Sequence, residues 1–240
     1  MSKNKKEKNN VLIERTIGRI CPVYGIIPVA SCFILNGLVY WGTQLLCDGR
    51  YHYEFSVPLD DLIPFRSGWV SIYVLSYVFW VTCYIMAARV NSKEVFYRFI
   101  FSELFSKLVC MAIFIAVPTT IVRPVVENNM DIAWLMQWIY NQDKPTNLFP
   151  SIHCLMSLMC FFAVYRSKEV KPWVKGLILA FALLVFASTQ FTKQHYIVDV
   201  VGGVGVAIFA YEIGMHTSWY KSLMKVFEKI NNKIYGKDRK

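Results

Sequence analysis

Residues 188–199 read STQFTKQHYIVD and lie where one apolar segment ends and the next begins. The stretch brings Lys193, His195 and Asp199 together in a chain in which charged residues make up only 18%. If the second apolar segment is a helix, His195 and Asp199 share one face, because residues four apart are neighbours on a helix surface. A carboxylate there can hold one ring nitrogen and leave the other free to react. The stretch therefore predicts a polar site at the junction of two apolar helices.

The whole chain is unusually apolar for its length. Of its 240 residues, 55% are hydrophobic and 16% aromatic, and the mean hydropathy is +0.38. Long uncharged runs of this kind indicate transmembrane helices. We therefore predict an all-α, polytopic membrane protein with a bundle of six transmembrane helices. The predicted spans are residues 20–46, 67–88, 99–122, 148–165, 176–191 and 195–214. Glu103 and Lys107 would lie in the first turns of the third span, where an i,i+4 pair is partly neutralised near the interface.

The basic residues assign a side of the membrane to each loop. Most of the 26 lysines and arginines fall in the N-terminus, the second and fourth connectors and the C-terminal tail. Only Arg50, Arg66, Arg123, Lys144 and Lys193 fall on the other side, whereas acidic residues divide evenly. By the positive-inside rule both termini are cytoplasmic, and the polar site faces outward from the plasma membrane. The net charge of +10 thus follows from topology and does not indicate a nucleic-acid partner.

We expect a single domain over residues 1–240. It comprises a basic cytoplasmic N-terminus (1–19), the six-helix core (20–214) and an amphipathic basic tail (218–240) suited to an anionic bilayer surface. A short aromatic helix capped by Asp131 precedes the fourth span and is expected to frame the site entrance. The seven cysteines are scattered without C-x-x-C spacing, so they read as small buried hydrophobes. No metal site or cofactor is expected, because His153, His195 and Asp199 have no fixed ligand spacing.

The residue types at these helix ends fit phosphoryl transfer. A neutral imidazole is a nucleophile toward phosphorus, and a carboxylate on its far nitrogen fixes the tautomer. His195 with Asp199 supplies that pair, and His153 can protonate the leaving oxygen.

Negative charge developing on a phosphoryl group needs fixed donors. Arg123 and Lys193 can supply charge, while Ser151 and the first-turn N–H groups of the fourth span supply neutral donors. Each residue also has a structural explanation: the two cations could be interfacial anchors and Ser151 a helix cap. Their convergence on one side of the membrane favours the catalytic interpretation.

Three motifs occur in order: Arg123-Pro124, Pro150-Ser151-x-His153 and Ser188-x6-His195-x3-Asp199. Together they resemble the type 2 phosphatidic acid phosphatase (PAP2) superfamily, whose members share a six-helix membrane core. The Gln194-His195-Tyr196 sequence is similar to the branch of sphingomyelin and inositol phosphorylceramide synthases. The resemblance implies that His195 forms a phosphohistidine, Asp199 orients it and His153 is the general acid. It also implies that Arg123 and Ser151 hold the phosphate and that no metal takes part.

The chain departs from the family pattern at two cationic positions. The family lysine position holds Ala116 and the arginine of the last motif is replaced by Thr189, while Ile152 stands where the middle motif has glycine. Lys193 can restore one charge, and the hydroxyls of Ser188 and Thr189 can offer hydrogen bonds to phosphate. We expect Lys193→Ala to lower activity at least about tenfold if this is so.

Three functions follow from these features. The first is a membrane lipid phosphatase acting on a polyprenyl diphosphate, phosphatidate or phosphatidylglycerophosphate type of substrate. The second is a lipid phosphotransferase, in which an alcohol replaces water as the acceptor. The third is a binding or transport protein that keeps the fold without the chemistry. The sequence leaves the substrate and the oligomeric state open.

Overall fold

A computed structural model describes residues 17–235, in which helices are joined by loops. Its α-helices are α1 (Val23–Leu46), α2 (Pro58–Leu62), α3 (Val70–Val90), α4 (Lys93–Ala116), α5 (Ala133–Gln142), α6 (Ile152–Tyr165), α7 (Pro172–Phe191), α8 (Ile197–His216) and α9 (Tyr220–Tyr235). Short 3-10 turns occupy Ile17–Arg19 and Ser67–Trp69. No β-strand occurs between residues 17 and 235, so the all-α prediction is confirmed.

Within the described range, five helices are long and apolar enough to cross a membrane. They are α1, α3 with its preceding turn, α4, α7 and α8. The chain is therefore a polytopic helical membrane protein. The fourth predicted span is shorter than expected, because α6 begins only at Ile152 and has 14 residues. Its length of about 21 Å is less than the roughly 30 Å thickness of the hydrocarbon core of a bilayer.

The boundaries of α4 differ from the predicted third span by six residues at each end. Ser92 caps the helix by accepting a hydrogen bond from Val95 N at 3.3 Å, and Pro118 follows soon after its end. As a result Glu103 and Lys107 lie in the middle turns, not in the first turns as predicted. Both side chains are fully buried, with Nζ and Oε1 2.7 Å apart. The two opposite charges compensate one another inside the bundle.

The short helix α6 lies at the centre of the bundle. It packs against α3, α7 and α8, and more lightly against α4. Its core side chains Leu155, Met156, Met159 and Cys160 are fully buried. Helix α4 in turn contacts α1 and α8, so α1 joins the bundle mainly through α4. The residues at the first turn of α6 are thereby held at the end of the bundle where α6 and α8 begin and α4 and α7 end, which we call the site end.

Helix α9 forms part of the predicted tail, whose residues 236–240 lie outside the described range, as do residues 1–16 of the predicted N-terminus. It packs on α4 and α1 at the end opposite the site. Phe227 is buried there, and Asn231 Nδ2 donates to the Tyr24 carbonyl at 3.1 Å. Lys221, Lys225 and Lys229 are exposed on the other face. The helix is therefore amphipathic, and its contact with an anionic surface stays a prediction.

Helix α8 passes very close to the start of α6. A Cβ atom added at Gly203 would lie 2.4 Å from the Ser151 carbonyl oxygen, whereas one added at Gly205 would meet nothing within 4 Å. We expect Gly203→Ala to destabilise the protein by about 1–3 kcal/mol, because a main-chain oxygen cannot move aside cheaply. The thermal unfolding midpoint in detergent measures this effect. Gly205→Ala, two residues along the same helix, is the matched control; an equal change in both variants would contradict close packing as the cause.

Candidate active site

Hydrogen bonds hold the start of α6 to the first turn of α8 and to the segment that follows α4. Ser151 is its N-cap, and its Oγ accepts a hydrogen bond from Cys154 N at 3.3 Å. The Ser151 main-chain N–H donates to the Asp199 carbonyl at 2.9 Å, which joins α6 to the first turn of α8. Before it, Thr119 Oγ1 accepts from Leu148 N and Phe149 N at 2.9 and 3.0 Å. This fixed first turn sets the position of His153.

Two carboxylates cap the start of α8. Asp199 Oδ2 accepts from Tyr196 N at 2.8 Å, and Asp60 Oδ1, from α2, accepts from Ile197 N at 2.9 Å. His195 therefore precedes the helix and is not on its first turn as the spacing suggested. The main-chain N–H of His195 donates to the Thr189 carbonyl at 3.2 Å. The loop, not a shared helix face, brings His195 beside Asp199.

The predicted His195–Asp199 pair is present. His195 Nδ1 lies 3.4 Å from Asp199 Oδ2, and the two side chains are 7% and 1% exposed. This separation is longer than a normal hydrogen bond, and catalytic hydrogen bonds commonly tighten only when substrate is bound. Because Nδ1 faces the carboxylate, Nε2 is the ring nitrogen that Asp199 leaves free.

The two histidines face each other. The ring centroids of His153 and His195 are 5.9 Å apart, with planes inclined by 56°. His153 stacks on Tyr73 at 4.2 Å and contacts Trp80 at 5.1 Å. Its Nε2 is buried and has no protein partner among the described residues. One histidine can thus attack a phosphorus atom while the other reaches its leaving oxygen.

Both histidines line one cavity of about 390 Å³ at the site end. Its volume falls in the range of small-molecule sites, which are mostly apolar with a few polar groups. Aromatic side chains make up much of its wall: Tyr40, Trp41, Tyr77, Trp80 and Trp138. Trp138 comes from α5, as expected of the aromatic helix that frames the entrance. The N-cap of α5 is Ile132, with φ 53° and no side-chain hydrogen bond, so the prediction of Asp131 as the cap was wrong.

Arg123 lies behind this cavity and binds three acceptors. Its Nη1 donates to the carbonyls of Tyr140 and Asp143, and its Nη2 donates to Gln194 Oε1. The guanidinium carbon also sits 4.6 Å from the centre of the Tyr140 ring. Burial raises the pKa of Tyr140 above its ordinary value, so the phenol stays neutral and donates to the Thr192 carbonyl at 2.7 Å. Arg123 is thereby fixed in one orientation.

Gln194 is a site residue to which the sequence analysis assigned no chemical role. It lines the cavity beside His195 and is 1% exposed. A guanidinium can only donate, so the Arg123 contact fixes Oε1 toward Arg123 and turns Nε2 away from it. That amide nitrogen is buried and has no partner in the described part of the chain. Its sequence signal was its place in the Gln194-His195-Tyr196 motif beside His195.

Asp143 and Tyr73 were also missed. The Asp143 carboxylate accepts from the hydroxyls of Tyr40 and Tyr73, and the Tyr73 hydroxyl lies 3.4 Å from His153 Nδ1. These residues come from α1, α3 and the end of α5, so no local pattern connects them. A carboxylate thus stands behind each histidine, directly for His195 and through a phenol for His153.

None of the five predicted phosphate ligands is among the residues that line the cavity: Arg123 lies behind it, Ser151 is fully buried at the N-cap of α6, and the other three lie further away along the chain. Ser188 and Thr189 are fully buried, and their hydroxyls donate to the carbonyls of Val185 and Phe186, each at 2.7 Å. Lys193 has φ 49°, and its Nζ donates to the Asp60 carbonyl at 2.7 Å. None of the three lines the cavity that holds the histidines. Ser188 and Thr189 lie in the last turn of α7, and Lys193 lies in the loop between α7 and α8.

This placement changes the result we expect for Lys193→Ala. The lysine ties α2 to the loop before α8 by one hydrogen bond, so its loss should lower stability by about 1 kcal/mol. We expect turnover to stay within about threefold of the original chain, because one such bond outside the cavity contributes little to the reaction barrier. Thermal unfolding and phosphate release, measured on the same preparation, separate the two effects. A tenfold loss of turnover without loss of stability would instead indicate that Lys193 contacts the phosphate directly.

Comparison with known families matches the PAP2 superfamily over residues 68–213. The match covers more than half of the chain and includes Arg123, Ser151, both cavity histidines and Asp199. Searches of curated proteins and of solved structures found no significant match. The family match, the helical bundle and the paired histidines agree with one another, and the chain belongs to the PAP2 superfamily.

Proposed function

We propose that this protein is a membrane lipid phosphatase that works through a phosphohistidine on His195. The observation that carries the proposal is the pair of histidines, 5.9 Å apart across one cavity, with Asp199 3.4 Å behind His195. The superfamily to which the chain belongs is compatible with this chemistry. The substrate class is a lipid phosphate or diphosphate, such as a polyprenyl diphosphate, phosphatidate or phosphatidylglycerophosphate. The site faces the outside of the plasma membrane.

The reaction has two balanced steps. In the first, the Nε2 lone pair of His195 attacks phosphorus, the bond to the lipid oxygen breaks, and His153 gives that oxygen its proton. Asp199 holds Nδ1–H and stabilises the charge that develops on the ring. In the second, His153 takes a proton from water, the water oxygen attacks phosphorus, and the P–N bond breaks. Inorganic phosphate leaves and His195 is regenerated. His195, Asp199, His153 and water account for every bond and proton in these two steps.

Gln194 supplies a neutral donor in this mechanism. Its Nε2 is held toward the cavity side by the contact of Oε1 with Arg123 and can donate to a phosphoryl oxygen. A fixed amide donor stabilises developing negative charge because it needs no reorganisation during the reaction. The first-turn N–H groups of α6 are further neutral donors, since Ile152 and His153 line the cavity and Ser151 caps the same turn. This arrangement partly offsets the absence of cations at Ala116 and Thr189.

A lipid phosphotransferase of the sphingomyelin or inositol phosphorylceramide synthase type is the second candidate, and one observation favours it. Among the described residues, 17–235, those that line the cavity include no lysine or arginine. A phosphomonoester carries close to two negative charges at neutral pH, whereas a phosphodiester carries one. A site with few cations fits the diester better, and an alcohol then replaces water in the second step.

Lipid turnover by the detergent-purified chain tests both candidates. Release of inorganic phosphate from a panel of lipid phosphates, abolished by His195→Ala, supports the phosphatase. Transfer of a labelled head group from a phosphodiester lipid to an added lipid alcohol, without phosphate release, supports the transferase. Neither reaction, with binding of the same lipids retained, would overturn both and leave a binding or transport protein.

A further inference from the structure

The Asp143 carboxylate is held by two phenols. Tyr40 donates to Oδ1 from α1, and Tyr73 donates to Oδ2 from α3 at 2.5 Å. Asp143 itself ends α5, and its carbonyl accepts from Arg123. Both phenols lie in transmembrane helices, and Tyr73 is fully buried. The carboxylate is therefore fixed at the junction of three helices beside the cavity.

Tyr73 connects the Asp143 carboxylate to His153. The two rings stack at 4.2 Å with planes 27° apart, and the Tyr73 hydroxyl lies 3.4 Å from His153 Nδ1. Because the phenol hydrogen goes to Asp143, only oxygen lone pairs face the imidazole. Nδ1 must then carry the proton in that contact. Nε2, which is buried without a partner, becomes the nitrogen that exchanges a proton with substrate.

We propose that Asp143, acting through Tyr73, is a positioning residue that prepares His153 to protonate the leaving oxygen. The carboxylate holds the phenol hydrogen, the phenol oxygen holds Nδ1–H, and the imidazolium is stabilised with Nε2–H directed at the substrate. This inference rests on the proposed phosphoryl transfer and adds a second carboxylate to it. His195 and Asp199 form one half of the site, and His153, Tyr73 and Asp143 form the other.

A purely structural role for Asp143 makes a different prediction. In that case the carboxylate only joins α5 to α1 and α3, and its loss lowers stability or affects every substrate equally. A role in acid catalysis depends on the leaving group. An alkoxide leaving group needs a proton in the transition state, whereas a nitrophenolate is stable enough to leave without one.

The test compares two substrates that share a dodecyl chain: dodecyl phosphate and a nitrophenyl phosphate carrying that chain on its ring. We expect Tyr73→Phe and Asp143→Asn to lower kcat for dodecyl phosphate by about 10- to 100-fold and for the nitrophenyl ester by less than about threefold. Tyr73→Phe keeps the stacked ring and removes only the hydroxyl. His153→Ala gives the full size of the leaving-group effect. The double variant should be no worse than either single one, since both remove the same chain of hydrogen bonds.

Tyr84→Phe is the matched control, because Tyr84 is another fully buried tyrosine of α3, outside the residues that line the cavity. It should keep the original ratio between the two substrates. Equal losses on both substrates in Tyr73→Phe and Asp143→Asn, or no loss on either, would overturn the positioning role. Asp143→Asn decides the question if Tyr73→Phe does not fold. By contrast, activity that survives His195→Ala would overturn the proposed function itself, whatever the leaving group.

Discussion

His195→Ala is expected to lower phosphoryl transfer by at least about 10⁴-fold and to abolish the covalent intermediate. His195 is the residue to which phosphorus would be bonded, and alanine has no lone pair with which to attack it. Removing a nucleophile commonly leaves only the rate provided by binding and by fixed donors. Asp199 and His153 would remain in place, since His195 makes no hydrogen bond on which the start of α8 depends.

The intermediate can be measured directly. Protein mixed with ³²P-labelled lipid phosphate is quenched in base, in which a phosphohistidine survives, and then exposed to acid, which releases the label. His216→Ala is the matched control: His216 faces Glu212 at 2.9 Å on the same helix, at the opposite end of the bundle. It should keep both label and turnover. Label that persists in His195→Ala would place the nucleophile elsewhere.

Much of the fold follows from the sequence because membrane spans are a matter of length and polarity. Long apolar segments with basic connectors required helices, and the structure has them. The errors in the prediction concerned the residues at which helices begin and end. The cap at Ser92 and the break at Pro118 move α4 by six residues, and this move carries Glu103 and Lys107 into the interior. Apolar periodicity alone does not contain that information, because α4 is apolar on most of its faces.

The site was predictable where its partners are close in sequence. His195 and Asp199 are four residues apart, and a capping carboxylate at the start of α8 brings them together. The contact of Asp143 with Tyr73 could not be predicted, because a tyrosine in an apolar span looks like any other aromatic residue. Lys193 is a different case: its charge and position suggested a phosphate ligand, whereas in the structure its ammonium donates to the Asp60 carbonyl. Loop geometry, not spacing, decides where such a side chain lies.

Arg123→Lys is expected to lower turnover by about 100-fold or more, although the charge is kept. The guanidinium fork reaches the carbonyls of Tyr140 and Asp143 and the Gln194 amide at the same time. A lysine ammonium has no planar fork and cannot hold all three acceptors in this geometry. Gln194 is then free to rotate, and the donor that it offers to a phosphoryl oxygen is lost. The measurement is kcat for the best substrate of the panel, with circular dichroism to verify the helices.

Two further variants identify the route of this effect. Arg50→Lys makes the same exchange at the same end of the bundle, at an exposed arginine that binds the Ile115 carbonyl at 2.6 Å, and should stay within about threefold. Gln194→Met keeps the shape of the side chain and removes its amide, so it should reproduce the loss seen in Arg123→Lys. If the arginine acts by orienting Gln194, the double variant is no slower than either single variant, because both remove one interaction. Losses that multiply would instead show that Arg123 contacts the phosphoryl group independently, as the family resemblance implies.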